Sequence, residues 1–542
     1  MGDCPPKKEF IMGKSEADRL VKGALLLTLA GLISKILSAG YRIPLQNLTG
    51  DFGFYVYQQV YPLLGMMMIL SLYGLPSAIS KLTAEIEAQG KLISIRGFYV
   101  PILFILFMIN GLLFLLLYIG APTITSLIDD ENLTRSYQFV AFSFLLVPFT
   151  SLLRGVFQGR YLMKPTAYSQ ISEQMIRVFI IIFIAYLYMK NQFDVYKIGE
   201  AAALATICGA ILAIIILLVF FVKEKPFGCN HSSIPWMYYL KTMIGLGVIA
   251  SLSHMILLIM QLADIFTLVP NLIEYGLSTV EAMESKGIFD RGQPLIQLGT
   301  VIGSSFALAL IPAVSKKRVK EQKEKFNTYI RSSLLFSFYL ATGAVIGLII
   351  TFPAVNTLLF QDTQGTFSLQ ILSLAIFLSS ISVTISSILQ GLDYYKRIAG
   401  YIILSFIIKW IANQVFVPIW GITGSAVATV LSLFLLCSIL FIELHKKIPQ
   451  IKLFRQINLW ALIKASFGMI GYLLIINYLF PYDTISSRLG LLVYVLFIVI
   501  TGAVIYLILL LRCKAFTDKE LTLLPFAPFL IKLHRGRDKY DR

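Results

Sequence analysis

Charge is scarce in this sequence. Asp, Glu, Lys and Arg make up 14% of its 542 residues, against about 25% in soluble domains. With 57% hydrophobic residues and a mean hydropathy of +0.79, a soluble fold could not cover its own surface. Acidic residues are the scarcer sign, 29 against 46 Lys and Arg, which leaves a net charge of +17. Five cysteines (Cys4, Cys208, Cys229, Cys437 and Cys513) and four histidines show no C-x-x-C or H-x-x-x-H spacing, so neither a zinc site nor a disulfide framework is signalled. Also absent are G-x-x-x-x-G-K-[ST], H-E-x-x-H, G-x-S-x-G and any long soluble loop, which removes the ATP-binding, zinc-protease and serine-hydrolase classes. No metal site, cofactor or catalytic constellation is expected.

What the chain has in abundance is apolar length. A helix needs roughly 20 apolar residues to cross a bilayer. Such runs occur at 21–40, 56–80, 97–120, 136–158, 167–189, 200–222, 239–262, 293–313, 331–352, 367–390, 398–417, 421–443, 457–480 and 489–511. The expectation is an all-α polytopic membrane protein of 14 transmembrane helices. Lys7, Lys8, Lys14, Arg19 and Lys22 precede a run that continues toward Tyr41 without a small-residue cleavage site, so residues 1–20 read as a cytoplasmic N-terminus ahead of an uncleaved helix.

With the N-terminus inside, Lys and Arg should crowd the even loops. They do: the longest basic run, Lys316-Lys317-Arg318 with Lys320, Lys323 and Lys325, follows the eighth segment, whereas Asp129-Asp130-Glu131 follows the third. The positive charge is therefore topological, with some attraction to anionic lipid, and nucleic acid is not an expected partner. The tail 512–542, with Leu521, Leu523, Leu524, Pro525 and Pro528 among basic residues, reads as a cytoplasmic interfacial segment or a disordered basic tail. The connection 263–292, with Asp264, Glu274, Glu281, Glu284 and Asp290, reads as external and able to form a short amphipathic surface helix.

An internal repeat organises the rest. Pro62 and Pro294, Gln158-Gly159 and Gln390-Gly391, and Arg177 and Lys409 share one offset, about 232 residues. Six spans per copy make the repeat parallel, with a pseudo-two-fold axis normal to the membrane. The expected lobes are 21–222 and 239–443 with a cleft between them, and the segments over 457–511 lie at the periphery.

An ionisable side chain at bilayer depth costs at least roughly 2.5–3.5 kcal/mol and marks a cavity or a partner. Lys35, Arg177, Lys409 and Lys464 stand inside spans. Lys35 and Arg42 are seven apart, a spacing that puts them on one helix face. Glu173 precedes Arg177 by one turn in the favourable order for an ion pair. Lys409, its repeat counterpart, has no carboxylate at that spacing, and two cations facing a cleft suggest an anion between them. Arg291 and Asp290, at the outer start of the eighth segment, form a rim pair or a gate. Lys464 reads as a snorkelling anchor, and His254, Asn110, Gln261 and Gln297 as interhelical hydrogen-bond glue. Deep cations favour a phosphate-bearing substrate.

The stretches Leu32-Ile33-Ser34-Lys35-Ile36-Leu37, Tyr41-Arg42-Ile43-Pro44-Leu45, Gly74-Leu75-Pro76-Ser77-Ala78-Ile79-Ser80-Lys81, Asp290-Arg291-Gly292-Gln293-Pro294 and Ile311-Pro312-Ala313-Val314-Ser315-Lys316 resemble, in order and spacing, the MurJ/SpoVB-type flippases of the multidrug/oligosaccharidyl-lipid/polysaccharide exporter superfamily. The resemblance spans essentially the whole chain. It implies two lobes around a V-shaped cavity and export of an undecaprenyl-pyrophosphate-linked saccharide such as lipid II by alternating access. It also implies pyrophosphate contacts at the matching Lys35, Arg42 and Arg291. Lys at 35 and the absence of paired arginines along the second segment depart from the Gram-negative pattern and make the SpoVB-like branch the closer match.

The combined expectation is a bacterial cytoplasmic-membrane flippase for a lipid-linked cell-wall saccharide, with both termini inside and action as a monomer alongside cell-wall synthesis proteins. Lys35, Arg42, Arg177, Arg291 and Lys409 form the substrate set, Glu173 and Asp290 serve as ion-pair or gating residues, and the drive is membrane potential, Na+ or H+. A cation-coupled multidrug antiporter would want carboxylates in the cavity, where only Glu173 is deep. A membrane enzyme of polymer assembly would want catalytic carboxylates that the spans do not show.

Overall fold

The computed structural model describes residues 14–90, 93–190, 194–227, 235–310, 323–450, 457–522 and 527–535, and the regular structure among these residues is helical throughout. The first 13 residues, the motif 311–316, most of the basic run after it and Leu523-Leu524-Pro525 lie outside them.

The chain forms two units, Met1–Asp290 with Tyr395–Ile402, and Arg291–Tyr394 with Ile403–Arg542. The first contains α1 (Lys14–Gly40), α2 (Arg42–Ile69), a π-helical turn Leu70–Gly74, α3 (Leu75–Ala88), α4 (Val100–Leu127), α5 (Thr134–Phe144), α6 (Val147–Gly159), α7 (Met163–Met189), α8 (Lys197–Glu224), α9 (Trp236–Thr242), a π-helical and a 3-10 stretch (Met243–Ile249 and Ala250–Met255), α10 (Ile256–Glu274) and α11 (Thr279–Asp290). The second contains α12 (Gly292–Leu310), α13 (Lys323–Phe360), α14 (Thr366–Gly391), most of α15 (Tyr395–Trp420), α16 (Ile422–Lys447), α17 (Leu459–Leu479), α18 (Arg488–Arg512), α19 (Asp518–Leu521) and α20 (Ala527–Arg535).

Among the described residues, 12 helical runs are long and apolar enough to cross a membrane. One of them, Leu29–Ala88, covers the first two expected segments, and the described part of the eighth is α12. Large apolar side chains such as Ile119, Phe179, Val222, Phe467 and Tyr478 stand exposed on these helices. Such surfaces are tolerable only against lipid, so the chain is a multi-pass membrane protein. Pro76, Pro101 and Pro148 sit in the first turn of α3, α4 and α6, where the missing N–H costs nothing.

The repeat is visible in the packing. Ser71 and Thr150 share a hydroxyl hydrogen bond of 2.7 Å across the first unit. Thr300 and Ser379, also 79 positions apart, share one of 2.6 Å in the second. Gln58 Nε2 donates to the Asp290 carbonyl at 3.4 Å, so residues separated by the repeat offset of 232 meet directly.

The stretch after 262 is mostly helical. The helix expected to end there continues as α10 to Glu274, and Asp264 is 1% exposed within it. One acid does not stop a helix when Ile265, Phe266, Leu268 and Val269 continue its apolar face. The following α11 is the expected short amphipathic helix, with Glu281 and Glu284 exposed on one face and Met283, Lys286, Phe289 and Asp290 buried on the other. Gly287 permits that docking, because a Cβ there would lie 2.2 Å from the Asp51 carbonyl oxygen. By packing, residues 236–290 group with the first six segments.

In the second unit α18 packs on α13 through Leu491 and Val495 against Ala354, Val355 and Leu358. Beyond it the tail docks: Phe516 stacks on Phe336 at 4.9 Å, and Arg331 Nε pairs with Glu520 at 2.9 Å.

The acidic loop after α4 is also tied down. Tyr55 Oη (3.0 Å) and Tyr196 Oη (3.2 Å) both donate to Asp130 Oδ2. Burial raises this carboxyl above its ordinary 3.8. The native state then binds the proton more tightly than the unfolded chain, so stability rises as pH falls through the window just above the ordinary carboxylate value. Asp130→Asn should remove that slope from melting curves taken across acidic pH and keep an acceptor. Asp130→Ala should cost about 1–3 kcal/mol by stranding two hydroxyls.

Candidate functional site

The deepest charges of the first unit form a triad. Glu173, on α7, accepts from Arg154 Nη2 through Oε2 and from Arg177 Nη2 through Oε1, both at 2.7 Å. All three side chains are buried. The order Glu173 then Arg177 brings the second pair onto one helix face, as the four-residue spacing requires. Arg154 comes from α6, and its remaining donors end on Ser169 Oγ (3.1 Å), Ser71 Oγ (3.0 Å) and the Ser71 carbonyl (3.4 Å). Arg177 Nη1 donates to Gln174 Oε1 (2.8 Å) and Met68 Sδ (2.9 Å). Arg154 is missing from the set expected from sequence, although it lies inside the span 136–158; the criterion that singles out Arg177 would have found it.

Beside Arg177 is a cavity of about 10 Å³ walled by Ser38, Tyr41, Tyr57, Tyr61, Met68 and Thr206, among others. The Tyr41 and Tyr57 hydroxyls are hydrogen-bonded to each other. Arg42 is fully buried, with Cζ 3.7 Å from the Tyr61 ring centroid, a close cation–π contact.

Lys35 and Arg42 do not share an environment, contrary to the seven-residue argument. The helix is interrupted at Tyr41, and while Arg42 is sealed in, the Lys35 side chain is exposed on α1. Lys35 makes no hydrogen bond or ion pair among the described residues. His254 of the 3-10 stretch stacks its ring on Tyr73 at 5.6 Å. The Tyr73 hydroxyl in turn lies 3.4 Å from where a Cβ on Gly31 would stand, one turn before Lys35 on α1.

At the end of α11, Asp290 Oδ2 accepts from Lys286 Nζ at 2.7 Å, and Lys286 also lies 5.6 Å from the Tyr55 ring centroid. In the second unit Arg291 makes a two-pronged pair with Asp362, Nη1 to Oδ1 at 2.6 Å and Nη2 to Oδ2 at 2.9 Å, with the Phe360 ring centroid 5.2 Å from Cζ. The Lys286–Asp290 pair thus belongs to the first unit and the Arg291–Asp362 pair to the second. Asp362 is 71 positions from Arg291 in the chain, a distance at which no local spacing rule applies. Lys409 is fully buried and donates to Thr429 Oγ1 across α15 and α16, with Asn413 buried one turn on. Lys464 is exposed, with Nζ 5.1 Å from the Trp460 ring centroid, the pose of a snorkelling anchor. Among the described residues no cluster of three His, Cys, Asp or Glu could hold a metal ion.

Residues 20–318 match the family model described as polysaccharide biosynthesis protein. An uncharacterized membrane protein of Bacillus subtilis, YabM, is 37% identical over 530 residues, covering 96% of this chain and 97% of that protein. Lipid II flippase MurJ of the same organism is 24% identical over 479 residues (84% and 88% covered). Stage V sporulation protein B of the same organism is 23% identical over 443 residues (79% and 84%), so the two relatives stand level in identity and the expected lean toward the second has no margin. A solved structure of lipid II flippase MurJ in an inward closed conformation superposes with a TM-score of 0.64 at 14% identity, covering 90% of this chain and 99% of that one. That structure shares the fold, and the relatives with an assigned role are transporters rather than enzymes.

Proposed function

This chain belongs to the polysaccharide biosynthesis protein family, and from that premise we propose that it is a flippase carrying an undecaprenyl-pyrophosphate-linked cell-wall saccharide across the bacterial cytoplasmic membrane by alternating access. Membrane potential or a Na+ or H+ gradient supplies the drive, and both termini lie in the cytoplasm.

The observation that carries this reading is Lys35. A cation in a membrane span that is exposed and has no carboxylate partner is costly unless a ligand supplies the counter-charge. A pyrophosphate headgroup does so, and a long polyprenyl tail keeps its carrier in the bilayer while the headgroup crosses. Arg291 is the second contact. Its two-pronged pairing with Asp362, which is 32% exposed, is the geometry a phosphate also accepts, so substrate can exchange with the carboxylate. Arg42, Arg177 and Lys409, sealed within their own units, contribute positive field rather than direct contact. The Glu173 and Asp290 ion pairs hold the helices that carry these groups.

The test is depletion in a Gram-positive host lacking a redundant flippase, with lipid-linked precursors labelled separately in each leaflet. Precursor should accumulate on the inner leaflet. Normal arrival at the outer leaflet would refute the assignment.

A further inference from the structure

The triad leaves one positive charge unbalanced inside the first unit, since two guanidinium groups share a single carboxylate. We propose that the cavity beside Arg177 binds a small monovalent anion, chloride in physiological salt, held by Arg177 and by the hydroxyls of Tyr41, Tyr57 and Ser38.

The surplus charge belongs to the Arg177 side. Arg154 places its donors on the carboxylate and on two serines. Among the described residues Arg177 meets, apart from Glu173, only an amide oxygen and a thioether, both neutral, and its buried Nε–H has no hydrogen-bond acceptor there. A buried ion without full compensation costs several kcal/mol. No Asp or Glu lines the cavity. The Tyr41–Tyr57 hydrogen bond uses one of the pair's two hydroxyl protons, leaving the other for an acceptor.

Size and charge then select the occupant. About 10 Å³ admits a single small species. A pyrophosphate or a sugar cannot enter, so this is not part of the substrate site. A metal cation would face a guanidinium and donor protons. A water would satisfy the hydrogen bonds and leave the charge uncompensated in a low-dielectric interior. A halide does both.

Full-length protein in detergent should melt at a higher temperature in sodium chloride than in sodium gluconate of equal ionic strength, with a saturable chloride dependence. Tyr57→Phe keeps the ring and removes a donor to a charged group, and should raise the half-saturating chloride roughly tenfold or more. Tyr41→Phe serves if that variant does not fold. Crystals of the wild type grown in bromide should show anomalous density in the cavity. Equal melting in both salts, an unchanged half-saturation in the phenylalanine variant, or a water in place of bromide would each overturn the proposal.

Discussion

Replacing Glu173 with Gln is expected to destabilise the protein by about 3–5 kcal/mol, the usual cost of removing one partner from a buried ion pair. That is a large part of the roughly 5–15 kcal/mol that holds most domains together. The glutamine preserves shape and hydrogen-bonding capacity, so the loss isolates charge: Arg154 and Arg177 would both stand in an apolar interior without a counter-ion. A second change, Arg177→Met, brings the formal charge of the cluster back from +2 to the +1 of the intact triad. It should recover part of the loss, and a double-mutant cycle on melting measures the coupling. A Glu173→Gln protein that melts with the wild type would show that the triad carries no stability. Arg154 should be as sensitive as Arg177, because its guanidinium joins α6, α7 and the π-helical turn through Glu173, Ser169 and Ser71.

Lys35→Ala should leave folding intact and slow flipping by roughly ten- to a hundredfold, the factor expected for one lost hydrogen bond to a charged phosphate. Folding survives because the side chain is exposed and holds no hydrogen-bond or ion-pair partner among the described residues. Lys35→Arg keeps the charge and should retain most of the activity, although the ammonium and guanidinium groups are not geometrically interchangeable. The measurement is outer-leaflet arrival of labelled precursor in cells carrying only the variant, with membrane abundance checked in parallel. Wild-type flipping by Lys35→Ala would remove the proposed phosphate contact and leave the fold assignment untouched.

Much of the site was legible because membranes enforce simple rules. An ionisable residue in an apolar run must have a reason, and that rule alone picks out Lys35, Arg177 and Lys409. The spacing of Glu173 and Arg177 foretold their pairing, since residues four apart on a helix are neighbours. The repeat has a counterpart in the packing of each unit, the hydroxyl pair Ser71–Thr150 in the first and Thr300–Ser379 in the second. Arg154 satisfied the same rule and belongs with them. After residue 262 the acids divide: Glu274, Glu281 and Glu284 are exposed, as acidic residues suggest. Asp264 and Asp290 are instead buried, each on a helix packed within the first unit.

The sequence by itself determined the class: too little charge and too much apolar length for water, a parallel repeat of spans, and a few cations where a bilayer penalises them. Those properties follow from composition and period, which depend only on neighbours in the chain. Arg177 apart, which cation is already neutralised was decided by tertiary structure. Arg291 meets an aspartate 71 residues away and Arg154 a glutamate on the next helix, while Lys35 meets none among the described residues. Whether a charge is spent or available depends on what stands within about 3 Å of it in space, and packing, not order along the chain, sets that distance.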